Sequence, residues 1–322
     1  MRKAYIIKKT IYALITILIV LVFNYILFRV LPGDPLSMLM RNPKATPEMI
    51  EHVEAMYGLD ESWWVQFVTY FEDMFHGDLG TSFVYKEPVT AVIGPKILPT
   101  VILFGLAEIL AIFVGILLGI IAAWKRGTKA DVGTLGFALV TYSMPTFWLS
   151  MIMLSLFCVT LQIFPVGGME SPGMAFADMG TRFVDILHHL ILPVITMSIL
   201  LIGEYALTMR NALMDVLEED YITTAKAKGF SSRYVLRRHA VPNAMLPMVT
   251  IIAINLGLVV GGAVQVETVF SWPGLGNLMY EALNSRDYPV LQGLFLLITV
   301  CVIVANYIAD ITYSYIDPRV KE

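Results

Sequence analysis

Several stretches of this chain are long and apolar enough to cross a lipid bilayer, and this feature constrains the fold more than any other. A membrane-spanning helix needs roughly 20 predominantly apolar residues, because the hydrocarbon core is about 30 Å thick. Six segments meet this requirement: about 10–30, 98–124, 133–159, 188–209, 247–266 and 290–314. With 57% hydrophobic residues, the chain is too apolar for a soluble globular domain. The sequence predicts an all-α integral membrane protein with six transmembrane helices.

Lysine and arginine are unevenly distributed between the segments that separate the predicted spans. If the N-terminus is cytoplasmic, residues 1–10, 124–132, 210–246 and 315–322 lie inside and hold 15 Lys or Arg, against 6 in the outside segments 31–97, 160–187 and 266–289. Cytoplasmic loops of membrane proteins carry such an excess. The pattern predicts that both termini are cytoplasmic and that the chain is a multi-pass protein of the cell (cytoplasmic or inner) membrane.

These boundaries divide the chain into four parts. They are an N-terminal segment with the first span at 1–30, an extracytoplasmic region at 31–97, a five-helix core at 98–314 and a cytoplasmic tail at 315–322. In the extracytoplasmic region, the sequence TPE at 46–48 is typical of a helix start. The aromatic stretch 63–75 predicts an interfacial helix at the membrane surface, anchored by Trp63 and Trp64. Docking of an external partner is the alternative interpretation.

Few ionisable residues lie within the predicted spans, and each raises a functional hypothesis because a charge in the hydrocarbon core is costly. They are Glu108, Glu204 and Asp310. Glu108 lies nearest to mid-span and is a candidate for the translocation path, together with Pro145 in the third span and Asn255 in the fifth. The alternative for Glu108 is a carboxyl group that is hydrogen-bonded to a neighbouring helix or faces a water-filled cavity.

Glycine and proline also punctuate the spans. Gly115 and Gly119 are four residues apart, as are Gly257 and Gly261, and this spacing predicts faces on which helices pack closely. Pro145 must kink or end the helix that contains it.

The most patterned polar segment is DYITTAKAKGFSSRYVLRRHAVPNAMLP, residues 220–247. Asp220 can cap a short helix that ends at Gly229, and a second short helix begins at Ser231 or Ser232 and is stopped by Pro242. A simple positively charged loop is the alternative interpretation, but the ordered glycine and proline spacing favours a docking element.

One face of the first short helix carries Ile222, Ala225 and Gly229. Small residues allow close approach of two backbones, so we expect this face to seat in a groove of a partner protein.

The segment resembles the EAA loop of ATP-binding-cassette (ABC) importer permeases, in which E-A-A and a glycine precede I-x-L-P at fixed distances. Thr223, Thr224, His239 and Val241 replace the Glu, the first Ala, the Ile and the Leu of that frame. The version found in the dipeptide/oligopeptide/nickel branch is matched at Tyr221, Thr224, Ala225, Ala227, Lys228, Gly229, Val235, His239, Asn243 and Pro247. Further stretches resemble the B-type permease of that branch over nearly the whole chain: LPGDP at 31–35, ATPEMIEHVEAMYGLD at 45–60, GDLGTS at 77–82, MPTFW at 144–148, VETVFSWPGLG at 266–276 and RDYPVLQG at 286–293.

The resemblance implies the type I ABC importer permease fold and a non-catalytic membrane subunit that imports di- or oligopeptides. It implies four partners: a homologous C-type permease, two ABC ATPase subunits and an extracytoplasmic substrate-binding (lipo)protein. It also implies a helix that couples to the ATPase, formed by Tyr221, Thr223, Thr224, Ala225, Lys226, Ala227, Lys228, Gly229, His239 and Pro242. Nickel or another metal chelate, glutathione and oligosaccharides are alternative cargoes within the same branch.

The chain itself offers no chemistry for energy conversion. It has no GxxxxGK[ST] loop and no H-E-x-x-H motif, so we expect no catalytic residue, no metal site and no cofactor bound to this chain, with ATP and Mg²⁺ used by the partner subunits. We expect contact with membrane lipid and none with nucleic acid. A secondary, ion-coupled carrier with Glu108 and Glu204 as its ion relay is the alternative from a different class.

Overall fold

The structure, a computed structural model, describes residues 2–30, 46, 60–258 and 263–316. The described residues form helices and connecting loops and contain no strand. The helices are α1 (Arg2–Val30), α2 (Trp63–His76), α3 (Val89–Trp124), α4 (Lys129–Ser143), α5 (Thr146–Met153), α6 (Met179–Leu217), α7 (Asp220–Ala227), α8 (Ser232–Val235), α9 (Val241–Leu258), α10 (Val264–Val269), α11 (Leu275–Ser285) and α12 (Tyr288–Ile316). π-helical turns follow α5 at Leu154–Thr160 and α8 at Leu236–Ala240, and a short 3₁₀ turn lies at Met174–Phe176.

Among the described residues, five helical segments are long and apolar enough to cross a membrane. They are Tyr5–Phe28, Val89–Trp124, Met179–Leu217, Ser232–Leu256 and Tyr288–Ile308. A sixth span exists if the pair Lys129–Ser143 and Thr146–Thr160 is counted as one, although the pair bends by 103°. Pro145 lies at this bend, as predicted from its rigid ring. The predicted fold class, an all-α membrane protein, is confirmed.

Several helical segments begin earlier than the apolar runs suggested. α3 starts at Val89 instead of 98, α6 starts at Met179 instead of 188, and the fifth span starts at Ser232 instead of 247. Each extension either is more polar than the apolar run that follows it or contains a proline. Prolines also lie inside three of the helices: Pro95 and Pro99 in α3, Pro193 in α6 and Pro247 in α9. A proline removes one helical hydrogen bond, and packing against neighbouring helices keeps the rest of the helix intact.

The centre of the molecule is the pair α3 and α6, and glycine determines how closely they approach. A Cβ atom on Gly115 would lie 2.5 Å from the Cβ of Tyr205, and one on Gly119 would lie 2.7 Å from the carbonyl oxygen of Ala206. The prediction of a close-packing face at Gly115 and Gly119 is therefore confirmed. Of the second predicted pair, Gly261 lies outside the described residues, and so do most residues of the helix start predicted at 46–48.

At one end of the bundle, a buried carboxylate joins α3 to α10 and α11. Glu267 accepts hydrogen bonds from Thr100 Oγ1 at 2.8 Å and from the amides of Gly276 at 2.7 Å and Asn277 at 3.0 Å. These amides lie in the first turn of α11, where backbone N–H groups lack helical partners. Burial raises the pKa of the Glu267 carboxyl group, and the hydrogen bonds oppose this shift.

Candidate functional site

The segment singled out by its resemblance to the EAA loop is a helix–turn–helix that links two spans. α7 runs from Asp220 to Ala227, and its cap is Glu219 instead of the predicted Asp220. The chain then turns at Gly229, whose φ of +84° lies in the left-handed region that glycine adopts readily. Among the described residues, apart from its chain neighbours, no atom lies within 4 Å of the place where a Cβ on Gly229 would stand. Glycine is therefore required there by the backbone angle and not by lack of space.

The second helix does not end where the sequence predicted. Ser231 caps α8 through a 3.4 Å hydrogen bond from the amide of Tyr234 to its hydroxyl oxygen, as predicted. The expectation that Pro242 stops this helix is wrong, because the chain continues through a π-helical turn into α9. The amide of Val241 donates to the carbonyl of Leu236 five residues earlier, and this wider turn lets the chain pass Pro242, which has no N–H to donate.

The face of α7 that carries Ile222 and Ala225 points into the protein. Ile222 is fully buried and Ala225 is 7% exposed, and both belong to an apolar cluster with Met209 and Leu213 of α6 and Met248 of α9. The expected orientation of this face, toward a partner, is therefore wrong for these two side chains. An apolar residue on a short helix between two spans packs on the adjoining ends of those spans. This buries the side chain without the entropy loss of binding a second protein.

The opposite side of the segment faces outward and differs in chemistry. Its exposed members are Tyr221, Thr223, Thr224, Lys226, Ala227, Lys228 and Gly229. Phe230 and Tyr234 extend this surface with stacked rings 5.0 Å apart, each more than 40% exposed. The ring of His239 lies 5.8 Å from that of Tyr234, while Pro242 is exposed one turn further along. We call Phe230, Tyr234 and His239 the aromatic cap.

Sequence reasoning missed Phe230 and Tyr234. Their signal was available, because two large rings flank the polar stretch Ser-Ser-Arg in the most polar segment between two spans. Five basic residues lie close to the cap in the sequence and are exposed: Lys226, Lys228, Arg233, Arg237 and Arg238. An exposed aromatic pair in a basic segment is suited to a protein partner that offers an apolar pocket and acidic residues.

A buried ion pair connects the end of α6, which leads into α7, to the bent pair of helices α4 and α5. Arg210 near the end of α6 donates to Asp131 of α4 through Nε at 2.6 Å and Nη2 at 3.1 Å, and the amide of Gly127 adds a 2.9 Å bond. Both side chains are nearly buried. Sequence reasoning missed this pair too, because 79 residues separate its members. The bidentate contact fixes the start of α4 to the segment that leads into α7.

Of the three residues assigned to a translocation path, the structure brings two together. Glu108 of α3 is fully buried and accepts a hydrogen bond from the hydroxyl of Tyr205 on α6. Asn255 of α9 donates to the same hydroxyl at 2.9 Å. Pro145 is exposed at the bend between α4 and α5 and takes no part in this network. The carboxyl group is thus hydrogen-bonded to a neighbouring helix, which was the alternative interpretation.

The Glu108–Tyr205–Asn255 network is incomplete among the described residues, because Glu108 Oε2 has no hydrogen-bond partner there. Glu204, the other member of the suggested ion relay, is half-buried on α6, and the side chain of Asp310 lies outside the described residues. Within the described part of the chain, no group of three or more His, Cys, Asp or Glu could hold a metal ion.

Comparison with known proteins covers almost the entire chain. Residues 115–322 match the family model described as "Binding-protein-dependent transport system inner membrane component", and residues 2–104 match the model of its N-terminal region. The chain is 35% identical to the oligopeptide transport system permease protein AppB of Bacillus subtilis over 319 residues, which are 99% of each protein. It is 37% identical to the dipeptide transport system permease protein DppB of Escherichia coli K12 over 308 residues, covering 90% of this chain and 91% of DppB.

The fold is also similar to that of a solved membrane transporter. A chain of the MetNI methionine ABC transporter, determined in inward-facing conformations, superimposes with a TM-score of 0.55 and covers 71% of this chain and 97% of its own length. With 16% sequence identity, this likeness concerns the fold alone.

Proposed function

Since the chain belongs to the family of binding-protein-dependent transport system inner membrane components, we propose that it is one of two permease subunits of an ATP-driven importer of di- and oligopeptides. The observation that carries the proposal is the full-length similarity to permeases named for oligopeptide and dipeptide transport. A homologous second permease completes the membrane pathway, two ATPases bind on the cytoplasmic side, and an extracytoplasmic binding protein delivers the cargo.

In this proposal, the surface of α7 and the aromatic cap is the contact with an ATPase subunit. The side chains that remain outward are Tyr221, Thr223, Thr224, Lys226, Ala227, Lys228 and the rings of Phe230 and Tyr234, with His239 half-buried beside them. Ile222 and Ala225 hold α7 on the membrane helices. ATP binding draws two ATPases together and displaces the surfaces that are seated in them. Such a displacement favours one of two packings of the spans. ATP can shift the equilibrium between these packings only as far as its affinity differs between them.

α6 is the element that carries the displacement into the membrane. It is a single helix of 39 residues, roughly 58 Å long at 1.5 Å per residue, and it leads directly into α7. Its close contact with α3 at Gly115 and Gly119 and its ion pair with α4 join three spans into one unit that moves together.

Reconstitution tests the proposal. The chain is inserted into liposomes with the sister permease, ATPases and binding protein encoded beside it, and uptake of a radiolabelled tripeptide is measured with and without ATP. We expect uptake only when ATP and all the subunits are present. Peptide uptake by the chain alone, driven by an ion gradient, would establish the secondary carrier instead. ATP-dependent uptake of a nickel chelate or an oligosaccharide, with none of the peptide, would show that the cargo is wrong.

A further inference from the structure

The aromatic helix α2 has an exposed apolar side that the transport proposal does not use. α2 begins at the cap residue Ser62 and ends at Gly77, whose φ is +76°. None of its residues is fully buried, although Phe67, Tyr70, Phe71 and Met74 are half-buried on the side that packs on the protein.

Two anchors hold α2 at a fixed angle. At its start, the ring of Tyr25 on α1 lies 5.2 Å from that of Phe67, and the Tyr25 hydroxyl donates to the carbonyl of Trp63 at 3.2 Å. Just after its end, Ser82 donates to the buried Asp287 at 2.5 Å and so ties the chain to the junction of α11 and α12. The sides of α2 that are left exposed are therefore defined by the structure.

Most exposed residues of α2 lie on an apolar strip or on a polar strip. Trp64, Val68 and Phe75 follow one line along the helix at i, i+4 and i+11, and their exposures are 71%, 38% and 77%. Thr69, Asp73 and His76 form the polar strip further round the helix, and Val65 and Glu72 lie between the two strips. A helix with one packed side, one exposed aromatic strip and one polar strip suits a boundary between hydrocarbon and water.

The position of α2 along α1 places it at such a boundary. The charged residues that bracket the apolar part of α1 are Lys9 and Arg29, 20 residues or roughly 30 Å apart, which equals the thickness of the hydrocarbon core. Tyr25 lies about one helical turn inside Arg29, at the depth where aromatic residues form the interfacial belt. Only 11% of the most apolar stretch of α1 is buried within this chain, and α2 packs on one end of that helix.

We propose that α2 lies in the interfacial layer of one membrane leaflet, with Trp64, Val68 and Phe75 in contact with lipid and Thr69, Asp73 and His76 in water. The occupant of the apolar strip is the membrane itself, since the helix has the depth, orientation and strip geometry of an interfacial anchor. The anchor fixes the outer end of α1 and, through the segment that ends at Ser82, the α11–α12 junction.

Spin labels test this placement in the full chain reconstituted in phospholipid vesicles. In a background in which Cys158 and Cys301 are replaced by alanine, Val68→Cys and its polar-strip control Thr69→Cys each receive a nitroxide. Collision with oxygen, which concentrates in lipid, is compared with collision with a water-soluble nickel chelate. We expect the oxygen-to-nickel ratio to be several-fold higher at position 68 than at position 69, and Phe75→Cys with His76→Cys to repeat the contrast.

Equal ratios at positions 68 and 69, or a label at 68 that reports water, would overturn the proposal. A label at 68 shielded from both reagents would also overturn it, because another protein segment would then cover the strip. If the cysteine-free background does not insert, the chain with its native cysteines is compared with Trp64→Phe in vesicles of headgroup-proximal brominated lipid. The brominated lipid must then quench a smaller share of the tryptophan fluorescence in Trp64→Phe, and an unchanged share contradicts the proposal.

Discussion

At the residue scale, Ala225 and Ala227 lie two positions apart in the segment that resembles the EAA loop and have different roles. Ala225 is buried against α6 and α9, and Ala227 is exposed. We expect Ala225→Trp to destabilise the chain by about 1–3 kcal/mol or more through overpacking, measured as a lower unfolding midpoint in detergent. Ala227→Trp should leave that midpoint unchanged and lower the uptake achieved per ATP hydrolysed. Normal coupling in Ala227→Trp would argue against this face as the ATPase contact.

Tyr205 is the residue on which the intramembrane network depends, since its hydroxyl bonds both Glu108 and Asn255. Tyr205→Phe leaves two buried polar groups without this partner, so we expect a loss of about 1–3 kcal/mol in the free energy of unfolding. Tyr142→Phe is the matched control, because Tyr142 is 74% exposed. Thermal unfolding of both variants in detergent checks the prediction, and equal midpoints would mean that the network contributes nothing to stability.

At the element scale, the contact between α3 and α6 is set by the absence of side chains. Gly119→Ala brings a methyl group against the backbone of α6 at 2.7 Å, and separating the helices should cost about 1–3 kcal/mol. Gly133→Ala in α4 meets no atom of the described residues within 4 Å, outside its own helix turn, and should be neutral or stabilise by up to about 1 kcal/mol. The two midpoints are compared in the same detergent, and a Gly119→Ala midpoint as high as that of Gly133→Ala would show that the helices separate freely.

At the scale of the whole molecule, the Asp131–Arg210 pair joins α4 to the end of α6 that leads to α7. Arg210→Ala leaves a nearly buried carboxylate without its counter-ion, so we expect a loss of about 3–5 kcal/mol and lower uptake per ATP hydrolysed. Arg126→Ala removes the exposed Arg126–Glu218 pair, 3.1 Å long, and should change stability by no more than about 1 kcal/mol. Unfolding midpoints and reconstituted transport check both variants, and equal effects would remove the special role of the buried pair.

The sequence by itself determined the fold class, the approximate place of the five continuous spans, the bend at Pro145, the close packing at Gly115 and the family. These depend on the local order of apolar, rigid and small residues, because the hydrocarbon core imposes a minimum length and glycine and proline act on their own backbone. Resemblance to a family likewise needs only the order of residues along the chain.

Only the tertiary structure decided which face of α7 is outward, that Pro242 lies within a continuous helix, and that Tyr205 joins Glu108 to Asn255. The Tyr205 contacts span 97 and 50 residues, and the Asp131–Arg210 contact spans 79. A periodic pattern of apolar residues indicates that a helix has two faces. Which neighbour covers each face is decided by the packing of helices from distant parts of the chain. This is why Ile222 and Ala225, suited by size to a partner's groove, are buried on this protein's own spans.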